Sequence, residues 1–243
     1  MKNKKGFTLA EVLITLSIIG VVAALTIPSL IQSSQERQTV AILRNTLTIM
    51  IDGYSKAVTD NGPITEWSNS ATIRKDVFET FVSYFKTAKT CTPTGEVDCW
   101  ADATYKRLYG ADWVNVRTTY PYAFILANGS VIGFNFTAAS IAANSPITCA
   151  DYGLYSKGCV SIYVDTNGTK PPNVQGIDFF GFFTTESGSV IPGGAPNVNI
   201  NQFSTCNTVD GTGWGCAAWL IYNENMDYLH CSNLSWSGPT KCQ

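Results

Sequence analysis

One stretch limits what this chain can become: Phe7–Ile31, FTLAEVLITLSIIGVVAALTIPSLI, an apolar run carrying a single charge, Glu11. Folded as a helix at ~1.5 Å per residue, it is longer than the ~30 Å hydrocarbon core of a bilayer. Lys2, Lys4 and Lys5 precede it, and no basic residue follows before Arg37. Positive charge on one side only predicts a single-pass helix, with residues 1–6 in the cytoplasm and the bulk of the chain beyond the membrane. Glu11 is out of place in such a segment. A carboxylate there costs about 2.5–3.5 kcal/mol by insertion scales. It needs a positive partner, and the leader lysines reach no further than the interface.

The border between charge and apolarity falls at Gly6-Phe7, ahead of the apolar run, whereas a Sec signal is cut behind it. The basic leader, Gly6, Phe7-Thr-Leu-Ala-Glu11-Val-Leu and Pro28 together resemble the amino-terminal signature of type IV prepilins and type II secretion pseudopilins. The resemblance is strict over about the first 30 residues. It implies that a membrane-embedded prepilin peptidase cuts after Gly6 and methylates the new amino terminus at Phe7. It also implies that Glu11 pairs with the amino terminus of a neighbouring subunit during assembly, which answers the charge left unexplained. Two readings compete: a Sec signal cut after Val22-Ala23-Ala24, and a plain signal anchor. Neither requires Gly6, Phe7 and Glu11 in this register, and no cysteine follows closely enough for a lipoprotein site.

The 243 residues leave room for one sizeable domain beyond the anchor. Only 14% of them are charged, the profile of a loop-rich exported domain containing β-structure. Setting aside the three leader lysines leaves 13 basic side chains against 18 acidic, a balance of −5. No basic patch remains for phosphate neutralisation, so nucleic acid is not an expected partner. The eight cysteines, Cys91, Cys99, Cys149, Cys159, Cys206, Cys216, Cys231 and Cys242, all lie beyond the anchor. An even count in an exported domain implies disulfides, and the short separations within successive couples suggest sequential pairing. Loops of that size contribute roughly 2–3 kcal/mol each. Zinc is the competing use, but no C-x2-C is present and His230 is the only histidine.

Beyond Pro28 the helical period continues through Val40, Leu43, Leu47, Met50, Tyr54 and Val58, so the first helix is expected from Phe7 to about Val58. Pro28 removes a backbone donor and predicts a kink or local melting. Asn61-Gly62-Pro63 ends the helix. A second helical pattern covers residues 72–88, with Ile73, Val77, Phe81 and Phe85 on one stripe. From Tyr120 the period becomes two. Tyr122–Ala127 and Ser130–Phe136 around Asn128-Gly129 read as a hairpin with a type I′ turn, and Val160–Val164 and Ile177–Thr184 as further strands. The expected fold class is α+β: a long amino-terminal helix, half transmembrane and half amphipathic, packed on an antiparallel sheet in a disulfide-rich head. The expected divisions are a leader at 1–6, a transmembrane and filament-core segment at 7–31, and the head at 32–243. The Trp- and Cys-rich tail reads as a disulfide-stapled cap, with the state of Ala217–Asp227 open.

The stretch Asp165–Asp178 begins like a calcium loop, with oxygen side chains at alternate positions, but has Lys170 and Gly176 where an EF-hand needs Gly and Glu. A rigid Asn-Gly and Pro-Pro turn held by Asx hydrogen bonds is one reading. Calcium bound by Asp165, Asn167 and Asp178 with backbone carbonyls is the weaker other. No nucleophile elbow, phosphate loop or metalloprotease helix is present, and the sequence offers His230 no acid or nucleophile partner. The expected protein is therefore a filament subunit rather than an enzyme. The resemblance implies as partners other pilin subunits, the prepilin peptidase, and an inner-membrane platform with its cytoplasmic ATPase. An exported adhesin or DNA-uptake protein delivered through the same signal is the rival reading.

Overall fold

The computed structural model describes residues 8–67, 73–95, 98–135, 147, 149–151, 157–198 and 202–243. The chain falls into two compact units, Met1–Gln38 and Thr39–Gln243.

Helix α1 (Leu9–Asn61) begins in the first unit and ends in the second. In the first unit its apolar side chains have no core to enter: Leu9 is 78% exposed and Leu25 76%. Helical structure continues through Pro28 without interruption, so the predicted melting does not occur. One proline removes one donor, and the rest of the ladder stays intact. Neighbouring hydroxyls add local bonds, Thr26 Oγ1 to the Val22 carbonyl (3.0 Å) and Ser29 Oγ to the Thr26 carbonyl (2.9 Å). The helix ends at Asn61, where Gly62 takes a left-handed φ of 76°, a conformation glycine adopts at no steric cost.

The second unit is built on a six-stranded antiparallel sheet. After α1 come α2 (Ile73–Val82), β1 (Thr87–Cys91), β2 (Thr104–Lys106), β3 (Asp112–Asn115) and the single turn α3 (Val116–Thr119). Then follow β4 (Ala123–Leu126), β5 (Val131–Asn135), β6 (Gly158–Asp165), β7 (Phe179–Thr185), β8 (Val190–Pro192) and α4 (Cys216–Asn223). The main sheet runs β1-β4-β5-β6-β7-β8, and β2 with β3 forms a separate ribbon. The second helix is shorter than its pattern predicts. Residues 87–88 belong instead to edge strand β1, paired antiparallel with β4.

The β4–β5 turn also differs from expectation. A type I′ turn needs positive φ at both central residues, but only Gly129 has it (87°). The Gly129 N–H bonds the Leu126 carbonyl (3.0 Å) and the Leu126 N–H the Ser130 carbonyl (2.9 Å), giving a three-residue loop. The reason lies in Asn128, whose side chain is committed elsewhere. Its Oδ1 accepts the Ser130 N–H (3.0 Å), and its Nδ2 donates to Asn45 Oδ1 and Thr46 Oγ1 on α1 (both 3.2 Å).

Alternating strand residues enter two cores. Phe124, Ile132, Phe134, Ile162, Phe180 and Phe182 join Leu43, Met50 and Tyr54 of α1 and Phe78 and Phe81 of α2. On the other face Ala123, Val131, Tyr163 and Phe179 meet Trp100, Tyr105 and Tyr120, with Trp113 and Trp214 packed beside them. Two glycines make that second layer possible. A Cβ on Gly133 would overlap the Trp100 indole, and one on Gly181 would stand 3.1 Å from that of Trp214. The sheet is thus covered on both sides.

Candidate processing and assembly site

Thr8 stands immediately before α1 and Glu11 is its third residue, the spacing of a capping box. The Glu11 N–H donates to Thr8 Oγ1 (3.3 Å), while the Thr8 N–H and hydroxyl both donate to Glu11 Oε2 (2.8 Å each). Two of the orphan donors at the helix start are satisfied in this way. Glu11 Oε1 has no partner among the described residues. Beyond this box the helix presents apolar side chains outward, and among the described residues it is the one helix long and apolar enough to cross a membrane. The helix thus joins a capped, carboxylate-bearing end to an apolar surface that is not buried within the chain.

Residues 1–27 match the family model of the prokaryotic N-terminal methylation motif. That motif is the type IV pilin and pseudopilin signature. The motif indicates a pilin-like substrate of prepilin peptidase and implies assembly with pilin subunits. Motif and apolar helix together fit membrane anchoring. The motif spans Gly6, Phe7 and Glu11; Gly6 and Phe7 themselves lie outside the described residues. No curated protein and no solved structure matches the chain.

The methylation motif says nothing of the head, whose candidate residues lie elsewhere. The eight cysteines form Cys91–Cys99, Cys149–Cys159, Cys206–Cys216 and Cys231–Cys242. The first staples edge strand β1, and the last two staple the tail around α4.

Asp165, Asn167 and Asp178 are brought together by the turn from β6 to β7. Asp165 Oδ1 accepts the Asn167 N–H (3.1 Å) and Oδ2 the Tyr105 hydroxyl (2.8 Å). Asp178 Oδ1 accepts the Val174 N–H (2.7 Å), and Oδ2 accepts the Asn173 N–H (2.8 Å) and Asn167 Nδ2 (3.1 Å). Every carboxylate oxygen therefore already faces a donor. Calcium takes six to eight oxygen ligands, and the described residues hold no group of three or more His, Cys, Asp or Glu able to bind a metal. Hydrogen bonds thus close the turn around both carboxylates, while the Asn167 and Asn173 amide oxygens are buried there without a partner among the described residues. Burial, and then the neighbouring Asp178, push the Asp165 carboxyl well above its ordinary range, against the pull of Tyr105 and the Asn167 and Gly168 N–H groups. Burial likewise raises Asp178, opposed by the Val174 and Asn173 N–H groups.

Sequence reasoning overlooked Thr8, although Thr8-Leu-Ala-Glu11 before an apolar run is a readable capping-box signal. It also overlooked Tyr54 as a polar anchor. The Tyr54 hydroxyl, inside the core, donates to the Thr185 carbonyl (2.6 Å) and ties α1 to the end of β7.

Proposed function

We propose that this protein is a structural subunit of a type IV pilus or a type II secretion pseudopilus. The observation carrying the reading is the match of residues 1–27 to the methylation motif on a helix whose apolar surface is unburied. Prepilin peptidase cuts between Gly6 and Phe7 and methylates the Phe7 amine. The leader 1–6 is removed, residues 7–31 hold the precursor in the inner membrane and later bundle in the filament core, and residues 32–243 form the exported head. An inner-membrane platform and its ATPase drive the subunit from membrane to filament.

Glu11 is central to the transfer. Oε2 is held by Thr8 while Oε1 stays open, so the carboxylate can receive the methylated amine of a neighbour without dismantling its own cap. In a dry helical bundle that attraction is stronger than at a wet surface. The four disulfides stabilise a head that works outside the reducing cytoplasm.

Mass spectrometry of the membrane-extracted and filament-borne protein tests the reading. The expected amino terminus is N-methyl-Phe7. A terminus near Leu25 would identify a Sec signal and reject the proposal.

A further inference from the structure

Around the β2–β3 ribbon one cation is left unanswered. Lys106 faces Asp112 (4.0 Å), Arg117 faces Asp102 (3.3 Å), and Lys89 pairs with Asp98. Arg107 is half-buried, yet it has no carboxylate partner among the described residues. Its guanidinium lies over the Trp113 ring, 5.1 Å from the centroid, and its Nη1 donates to Gln175 Oε1 at 3.4 Å. The buried acids of the neighbouring turn, Asp165 and Asp178, spend their oxygens on Tyr105, Asn167 and the main chain. A charge withdrawn from water in this way calls for a counter-charge.

Two further donors stand beside it without acceptors. Gln175 is 1% exposed. Arg107 takes its Oε1, so the other end of the carboxamide is the Nε2 donor, which is buried with no partner among the described residues. The Thr212 hydroxyl is buried and unpartnered in the same way. Main-chain bonds hold both residues next to Arg107. The Gln175 N–H bonds the Lys106 carbonyl (2.9 Å) and the Leu108 N–H bonds the Thr212 carbonyl (3.3 Å), so residues 175 and 212 are tied to the two chain neighbours of Arg107. They also lie against each other: a Cβ on Gly213 would stand 2.9 Å from the Gln175 Cβ.

A buried donor left unmade costs about 1–3 kcal/mol, and native structures rarely keep one without a water or an ion. A water would accept from these donors but leave the guanidinium uncompensated. A carboxylate does both, because its two oxygens offer about four acceptor positions and match the planar fork of an arginine. The Trp113 ring and the main-chain bonds fix the donors in advance, which lowers the ordering cost of binding. We propose that Arg107, Gln175 and Thr212 form a binding site for a single carboxylate group. Two sources present that group to the head. One is an acidic side chain of a neighbouring subunit, which rests on the filament reading and is plentiful in a chain with 18 acidic residues. The other is a free carboxylate solute.

The test uses isotope-labelled full-length protein in detergent and follows the Trp113 indole N–H, assigned with Trp113→Phe, by NMR. Sodium acetate is titrated in, with sodium chloride holding the ionic strength constant. A saturable shift is expected in the wild type and in Arg117→Gln. It should be absent in Arg107→Gln, and affinity should fall roughly tenfold in Thr212→Val, the loss of one charge-assisted hydrogen bond. An absent or unsaturable shift in the wild type overturns the proposal. So does wild-type affinity in Arg107→Gln or, where that variant does not fold, in Thr212→Val. Once acetate binds, the sheared-filament yield of folded Arg107→Gln names the source: a reduced yield assigns the site to a neighbour's acid, a wild-type yield to a solute. Processing at Phe7 is read separately by mass spectrometry, so failure here leaves the filament reading standing.

Discussion

Glu11 accepts the backbone N–H and the hydroxyl of Thr8 through one carboxylate oxygen, Oε2, and Oε1 has no partner among the described residues. The charge that makes the apolar helix costly is thereby half answered within its own chain. What remains is an acceptor oxygen at the start of the apolar helix, which the proposed assembly would pair with a neighbour's amine.

Glu11→Leu removes that acceptor. Membrane abundance should hold or rise, because the insertion cost disappears, while the yield of sheared filaments should fall sharply in cells lacking a wild-type copy. Thr8→Val, which removes only the hydroxyl of the cap, should cost about 1 kcal/mol of helix stability and reduce yield far less. Normal filament yield from Glu11→Leu would remove the carboxylate from assembly.

Tyr54→Phe isolates the hydroxyl that joins α1 to β7. The Thr185 carbonyl also accepts the Gly188 N–H at 3.2 Å, so the loss should sit near the low end of the range for a buried unmade bond, about 1 kcal/mol. Urea denaturation of wild type and variant measures it. A midpoint shift indistinguishable from zero would show that the bond contributes nothing net.

Gly133→Ala places a methyl where the Trp100 indole lies. The ring cannot simply swing away, since its Nε1–H is anchored on the Tyr120 carbonyl at 2.9 Å. Overpacking should cost about 1–3 kcal/mol, read as a lower Tm with altered tryptophan emission. An unchanged Tm would mean that the outer aromatic layer is loosely packed.

Asp165 carries a pH dependence. Burial and the neighbouring Asp178 raise its folded value, so above the ordinary carboxylate value of 3.8 the native state holds a proton that the unfolded chain has released. Stability therefore falls as pH rises through the window between 3.8 and the raised folded value. Asp178 acts in the same direction. Asp165→Asn does not titrate and should flatten that decline in urea midpoints measured from about pH 4 to about pH 8. Parallel slopes for the two proteins would place the carboxylate's titration elsewhere.

Much of this was legible in the chain itself, because the deciding physics is local or covalent. Twenty-odd apolar residues behind a basic leader dictate a membrane-length helix whatever follows them. Gly6, Phe7 and Glu11 are a signal read in register, and Asn61-Gly62 stops α1 by backbone conformation alone. The short cysteine separations pointed to sequential couples, and the structure joins those couples. The Thr8 cap was equally local and simply went unread.

Other features needed the folded sheet. Residues 87–88 continue a helical stripe, yet pairing with β4 makes them strand, since edge hydrogen bonds outweigh a weak local preference. Asn128-Gly129 suits a type I′ turn in isolation, but the Asn128 side chain is drawn to α1, a contact 82 residues away in sequence. The second core is the clearest case. Period-two strands are expected to bury one face, whereas every residue of β7 is buried. Its outer face is covered at Phe179 and Gly181 by Trp100, Trp113 and Trp214, brought from three separate segments, and at Phe183 by Ala195, Val198 and Ala218. No sequence period encodes that meeting, because it depends on which distant side chains the backbone path delivers to the same patch of sheet.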